Sequence, residues 1–317
     1  MATAYTSDAL LEDVRRGGSL PSSSSTGTAD ADLLAHADAE LRDTLVPLML
    51  GVHEEFYQRI FDVTTTDGVA GYRINKRAAI SRINTVQWVR SDSSIVNLVR
   101  KEPKEVADMG VLPTSAGQPW AYYLEGGRLV LFPTPAGSAT LRIRAMVRPS
   151  RLCLSADDNT KTLAITAVSV GASVTTLTTA AHGIGSTATR DVVAGTPSFE
   201  HLAVDATATQ TAATTCTIPN TSFSSTPAVG DYLTTSDLTP VIQLPVELHP
   251  ALTELTIARV LRALGKRSEA ADHAEEAQRL VSIGIQALTP RVDTADRKIL
   301  GGPHYRRGRG AGLWVPR

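Results

Sequence analysis

The side chains that could do chemistry are few and scattered along the chain. Seven histidines fall at positions 36, 53, 182, 201, 249, 273 and 304, and no two are three or four residues apart, the spacing that puts two ligands on one helix face. His53 precedes Glu54 and Glu55, a trio able to ligate a cation, but in a helical, charge-rich context it reads as a solvated face. His182, His201 and Cys216 would suit zinc if the fold gathered them; isolated His and Cys in a strand-rich region instead pack or hydrogen-bond. Asp157-Asp158 and Asp191 stand beside Asn, Thr and Arg and read as turn residues, not as a general acid–base pair. There is no G-x-x-x-x-G-K-[ST], no G-x-G-x-x-G after a strand, no H-E-x-x-H and no G-x-S-x-G. The expectation is a protein without catalytic residues, cofactor or metal. The other notable group is cationic: Arg306, Arg307, Arg309 and Trp314 lie in GGPHYRRGRGAGLWVPR, a Gly-rich stretch without a carboxylate. Arg and Trp are typical interface anchors, so these four are the candidate residues for docking a neighbouring chain.

Composition bounds what can position such groups. The 317 residues carry 31 Lys plus Arg against 32 Asp plus Glu, a net charge of −1, which argues against a globally basic nucleic-acid binder. Aromatics make up only 5%, too few for a base-stacking platform. No apolar run approaches the ~18 residues of a membrane span, and no apolar h-region follows Met1, so neither a transmembrane helix nor a secretory signal is expected. Cys153 and Cys216 cannot define a disulfide framework and read as small buried residues of a reducing compartment.

Changes in composition divide the chain. GGSLPSSSSTGTA at 17–29 reads as a flexible linker, so residues 1–29 are expected to form a tethered arm. From Asp32, Leu34, Ala37, Leu41, Leu45 and Leu48 recur at steps of three or four, the stripe of a helix with one buried face. Pro47 should kink or split it, and Met49, Val52, Phe56 and Ile60 carry the stripe on to the TTTDG turn. Tyr72–Ile74 and Ile83–Val89 read as short strands. Gly126-Gly127 between two apolar runs predicts a two-residue hairpin with positive φ at both positions. Leu141, Ile143, Ala145 and Val147 alternate with Arg142, Arg144, Met146 and Arg148, placing three arginines on a solvated or partner-facing side. Residues 160–239 hold 21 Thr but seven charged residues and read as β-rich. After Leu244-Pro245, Ile257, Val260, Leu261 and Leu264 mark one helix, closed by Gly265. Ser268 can cap a second with the small-residue stripe Ala270, Ala274, Ala277, Val281, Ile285 and Leu288. The two form an αα-hairpin.

Four stretches, HEEFYQRIFDV, GYRINKRAAISRINTVQWV, PW…YYLEGGRLVLFPTP…TLRIRAMVRPSRL and LPVELHPALTELTIARVLRALGKRSEAADH, occur in that order, and residues 30–155 and 240–300 resemble the head-to-tail adaptor (connector) proteins of tailed bacteriophages. Asn75 stands where the family's Y-x-[IL]-P-x-R-A stretch has proline. Residues 163–237, with His182-Gly183-Ile184 matching T-x-x-x-H-G-[IL], are similar to small β modules of phage structural proteins. The resemblance implies an α+β fold: a helical adaptor core of N-terminal helices and C-terminal αα-hairpin, a small antiparallel sheet, and an inserted β-rich module. It implies a core of 30–162 plus 238–300, an insertion at 163–237 and a basic tail at 301–317. It further implies a virion neck protein, assembled in the host bacterial cytoplasm, that forms a ring, typically of twelve copies, under the portal protein. A tail tube or nozzle protein would sit below, and genomic DNA would pass through the lumen without sequence readout, with no membrane partner. The C-terminal cluster would then dock the portal. The alternative is a peripheral tail or capsid decoration protein using its β module to bind a receptor or the capsid surface.

Overall fold

In a computed structural model of the chain, the residues described are 5–21, 28–52, 54–108, 116–155, 161–195 and 200–289. The helices are α1 (Ser7–Gly17), α2 (Asp30–Glu40), α3 (Val46–Val52), the short α4 (Pro103–Asp108), α5 (His249–Ala263) and α6 (Arg267–Leu288). One four-stranded sheet runs in the order β1 (Gln58–Thr64), β10 (Thr140–Val147), β3 (Ala78–Val89) and β4 (Ile95–Asn97). A second runs β2 (Gly71–Arg73), β8 (Arg128–Phe132), β7 (Ala121–Glu125) and β5 (Val99–Arg100). Short parallel pairs join β6 (Ala116–Gly117) to β9 (Thr134–Pro135) and β11 (Arg151–Leu152) to β18 (Leu238–Thr239). The remaining strands close a barrel in the order β12 (Thr162–Val170), β13 (Val174–Thr179), β16 (Thr215–Pro219), β15 (His201–Ala212), β14 (Thr187–Val193) and β17 (Tyr232–Thr235).

This corrects the expected fold class. The molecule is α+β, but it is β-rich and not built on a helical core: strand makes up about 37% of the described residues and helix about 33%. One cause is visible at Gln58–Thr64, expected as helix. The helix stops at Val52, and after a 3-10 turn at Glu54–Tyr57 the chain becomes β1, paired with β10 along its whole length. Phe61 faces Ile143 and Val63 faces Leu141 across that ladder, so burial at period two overrides the helical spacing of Phe56 and Ile60. The inner faces of the two sheets share one core, in which Trp88, Leu141, Ile143, Leu129 and Leu131 are buried.

The first helix also departs from the expectation of a flexible arm over 1–29. Leu10, Leu11 and Val14 of α1 are buried in the same core as α2, α5 and α6. Its entry is fixed by backbone pairing, with the Ser7 N–H donating to Pro240 (2.8 Å) and the Ile242 N–H to Tyr5 (3.1 Å). The Arg15 guanidinium then donates to the carbonyls of Pro21 (2.5 Å) and Thr28 (3.0 Å), tying together the two sides of the Ser-rich stretch. A stripe of three apolar residues on an 11-residue helix is enough once a complementary surface exists.

Between α2 and α3 the chain does not break at Pro47. Leu41–Leu45 winds as a π-helical turn, with the Val46 N–H reaching Leu41. The wider turn makes room for a ring that would otherwise strike the preceding carbonyl, so the strain is taken up locally instead of ending the helix. Gly126 and Gly127 have φ of 55° and 77°, as the tight β7–β8 hairpin requires. In the αα-hairpin, α6 begins at Arg267 without a side-chain cap. Its contact stripe is Ala270, Ala277 and Gly284, while Ala274 is only half-buried. A Cβ on Gly284 would lie 2.6 Å from Leu248 Cδ2 and 3.0 Å from the Glu247 carbonyl. Gly284→Ala should therefore destabilise by about 1–3 kcal/mol despite its better helix propensity. A thermal melt showing no loss would mean the α6 contact can open at no cost.

Candidate interaction site at the barrel junction

A buried polar cluster centred on Arg77 lies where the sheets, the barrel and the segment leading to α5 come together. The turn after β2 sets this residue: the Arg77 N–H donates to Asn75 Oδ1 (2.9 Å), and β3 begins immediately afterwards at Ala78. Its guanidinium, only 3% exposed, donates through Nη1 to Asp191 Oδ2 and through Nη2 to Ser150 Oγ. Asp191, on β14 of the barrel, is fully buried; its Oδ1 accepts from the Asp205 N–H (2.8 Å) and its Oδ2 from the Asp237 N–H (3.1 Å). Burial pushes the Asp191 carboxyl above its ordinary pKa, opposed by Arg77 and those two amides. Gln243 completes the cluster: its Oε1 accepts from the Ser150 N–H (2.7 Å), and its carbonyl accepts from Tyr57 Oη (2.7 Å). Sheet, barrel and the segment leading to α5 are thus held by one charge pair and its hydrogen bonds.

His201 Nε2 faces two donors, Arg77 Nη2 at 3.2 Å and Gln243 Nε2 at 3.4 Å, which makes it an acceptor on a neutral ring. Burial, then Arg77 and Arg59, hold its pKa well below that of an ordinary histidine. The unfolded chain therefore binds a proton below about pH 6.5 that the folded chain refuses. Stability should fall as pH drops from 7 toward 5, by up to about 1.4 kcal/mol per unit from His201. Buried His249 is lowered in the same direction. His201→Gln, which keeps an acceptor but cannot titrate, should flatten the melting-temperature profile over that range; an unchanged profile would remove His201 from the account.

An outer ring of bonds surrounds the cluster. Asn75 Nδ2 donates to Asp205 Oδ2 (3.2 Å), and Lys76 Nζ donates to Ser236 Oγ (3.2 Å). Proline at 75 could make no such bond, so the departure from the adaptor stretch supplies a tether to the barrel. Beside the cluster opens a cleft of about 330 Å3, whose walls include Phe56, Tyr57, Arg59, Ile60, Arg148 and Glu200. Burial lowers the pKa of the Arg59 guanidinium to about 10, opposed by Glu200.

The residues singled out in the sequence meet different fates. Arg306, Arg307, Arg309 and Trp314 lie outside the described residues, as do His53, Asp157 and Asp158. His182, His201 and Cys216 are all buried but are not brought together, and among the described residues no three His, Cys, Asp or Glu side chains are placed to hold a metal ion. Cys216 lies inside the barrel, where burial pushes its thiol up to about 11. Asp191 is a barrel-strand residue paired to Arg77, not a turn residue. Of the three arginines in this alternation, Arg142 makes a two-pronged pair with Asp62 (3.0 Å each), while Arg144 and, just past the end of β10, Arg148 are exposed. Reading the sequence missed Arg77, Gln243 and Arg59. The signal for Arg77 was present, since it is the arginine of the R-A pair in the adaptor-like stretch. Among the described residues, no helix is long and apolar enough to cross a membrane.

A buried ion pair and its hydrogen bonds tie the sheets to the barrel. Residues 6–174, more than half of the chain, match the family model described as SU10 adaptor protein. The chain belongs to that family and is a phage structural adaptor, a virion protein that works by contact with other neck proteins. No curated protein matches it.

Proposed function

We propose that the protein is the ring adaptor between portal and tail. About twelve copies would close beneath the portal protein, seal the neck and offer a platform to a tail tube or nozzle protein. Genomic DNA would pass through the lumen unread, which suits a net charge of −1, since a wall dense in Lys and Arg would grip phosphate and slow ejection. In this reading 30–162 plus 238–300 form the adaptor core, 163–237 is an inserted module, and Arg306, Arg307, Arg309 and Trp314 of the 301–317 tail dock the portal. The observation that carries it is the family match over residues 6–174, which spans α1, both four-stranded sheets and the start of the barrel. The test is native mass spectrometry of the purified protein, alone and with portal. A closed assembly of about twelve subunits, formed in either condition, supports it. A trimer, or a monomer that ignores the portal, overturns it, and the trimer would favour a decoration protein.

A further inference from the structure

The cleft beside the Arg77 cluster contains cationic donors that the described part of the protein leaves unmatched. Arg59 Nη2 is shut off from solvent and has no hydrogen-bond partner among the described residues. The carboxylates whose charge reaches it, Glu200 and Asp191, also serve other groups. Asp191 serves Arg77 and two backbone amides, and Glu200 Oε1 accepts from Ser225 Oγ (3.1 Å). Arg148, on the same cleft, anchors through its backbone N–H to the Arg77 carbonyl (2.9 Å). Its guanidinium is exposed and makes no ion pair or hydrogen bond among the described residues. Of the neutral polar groups of the cleft, Tyr57 Oη is committed to the Gln243 carbonyl and Ser224 Oγ to the carbonyls of His201 and Leu202. A buried charged donor without a partner is costly, and an anion is the complement that relieves it.

We infer that this cleft is a socket for a single carboxylate carried on an apolar body, the acidic side chain of a partner protein seated between Arg59 and Arg148. Its size, about 330 Å3, admits a side chain and not a duplex. Phe56, Val147, Pro149 and the half-exposed Ile60 (49%) give it apolar walls. Two arginines against Glu200 leave one net positive charge, which a monoanion neutralises, whereas a phosphate backbone would set its neighbouring charges against Glu200. The lowered pKa of Arg59 is what an under-partnered guanidinium in such a place should show. The inference concerns the single subunit and does not depend on the ring.

Calorimetric titration of the full-length protein with benzoate, benzamide and inorganic phosphate tests it. Benzoate should bind at least about tenfold more tightly than its neutral isostere benzamide, and more tightly than phosphate, with the preference shrinking at high salt. Arg59→Gln should cut benzoate affinity about tenfold while the circular-dichroism spectrum stays that of the wild type, and Arg148→Gln should cut it less. Should Arg59→Gln fail to fold, the wild-type benzoate-to-benzamide ratio and Arg148→Gln decide. Equal binding of benzoate and benzamide, no binding of either, or a folded Arg59→Gln with unchanged affinity would overturn the inference. Phosphate binding more tightly than benzoate would overturn it in favour of a nucleic-acid backbone.

Discussion

Arg77→Leu is expected to destabilise the protein by about 3–5 kcal/mol, because it strands a fully buried carboxylate. Asp191 would keep two backbone amides but lose its only countercharge within contact distance among the described residues. Ser150 and His201 would lose a donor in the same step. The ion pair itself need not be worth that much: removing both charges should be cheaper than removing one. Arg77→Leu combined with Asp191→Leu should therefore recover part of the loss, and a double-mutant cycle by denaturant unfolding measures how much. If the two single losses simply add, the pair is not the brace between sheet and barrel. The same logic governs any attempt to remove the barrel. Deleting 163–237 alone would leave Arg77 unpaired, so a fair test of whether the remainder folds must neutralise Arg77 as well.

Gly195→Ala should cost at least about 3 kcal/mol, more than any other glycine-to-alanine change in the barrel. The added Cβ would stand 2.9 Å from the Gly230 carbonyl carbon and closer still to its oxygen. That backbone cannot retreat. The Gly230 N–H donates to Ile165 (2.9 Å), and the Asp231 carbonyl accepts from the Ile165 N–H (2.8 Å). Asp231 Oδ1 meanwhile holds the Gly195 N–H at 2.9 Å. Moving either side breaks the joint of β12, β14 and β17 that closes the barrel. Gly185→Ala is the control: its φ is +76°, but nothing lies within 4 Å of the added atom. Only the left-handed backbone penalty, about 1–2 kcal/mol, applies there. Thermal melts ranking Gly185→Ala as the more damaging would mean that the Gly195 approach relaxes freely.

What the sequence revealed follows from how local each signal was. The Gly126-Gly127 hairpin, the alternation of β10 and the stop at Gly265 depend on a few adjacent residues and can be read directly. The strand at Gln58–Thr64 could not, because Phe56 and Ile60 fit a helical stripe and only the partner β10 selects the extended form. The docking of α1 was hidden for a similar reason: a serine run argues for a tether, and Arg15 closing it from both sides is a tertiary event. The polar cluster was least legible. Arg77, Asp191, His201 and Gln243 are far apart in the chain and become a unit only when the barrel sits on the sheets. The cleft beside them, lined from five separate stretches, was invisible for the same reason.

The seating of α1 has a consequence for how the chain is made. Its apolar side is covered by α5, and Tyr5, which stacks on His249 (4.8 Å between rings), reaches Thr253 across 248 positions. On a ribosome adding ~5–20 residues per second, this helix waits roughly 12–50 s before its partner exists. During that interval Leu10, Leu11 and Val14 are an uncovered apolar edge on a nascent polypeptide, open to chaperones or to premature contacts with other copies. The barrel, whose strands all pair among themselves, is free of that dependence and can form while α5 is still unmade. Folding should thus finish where it began, with the earliest helix captured last.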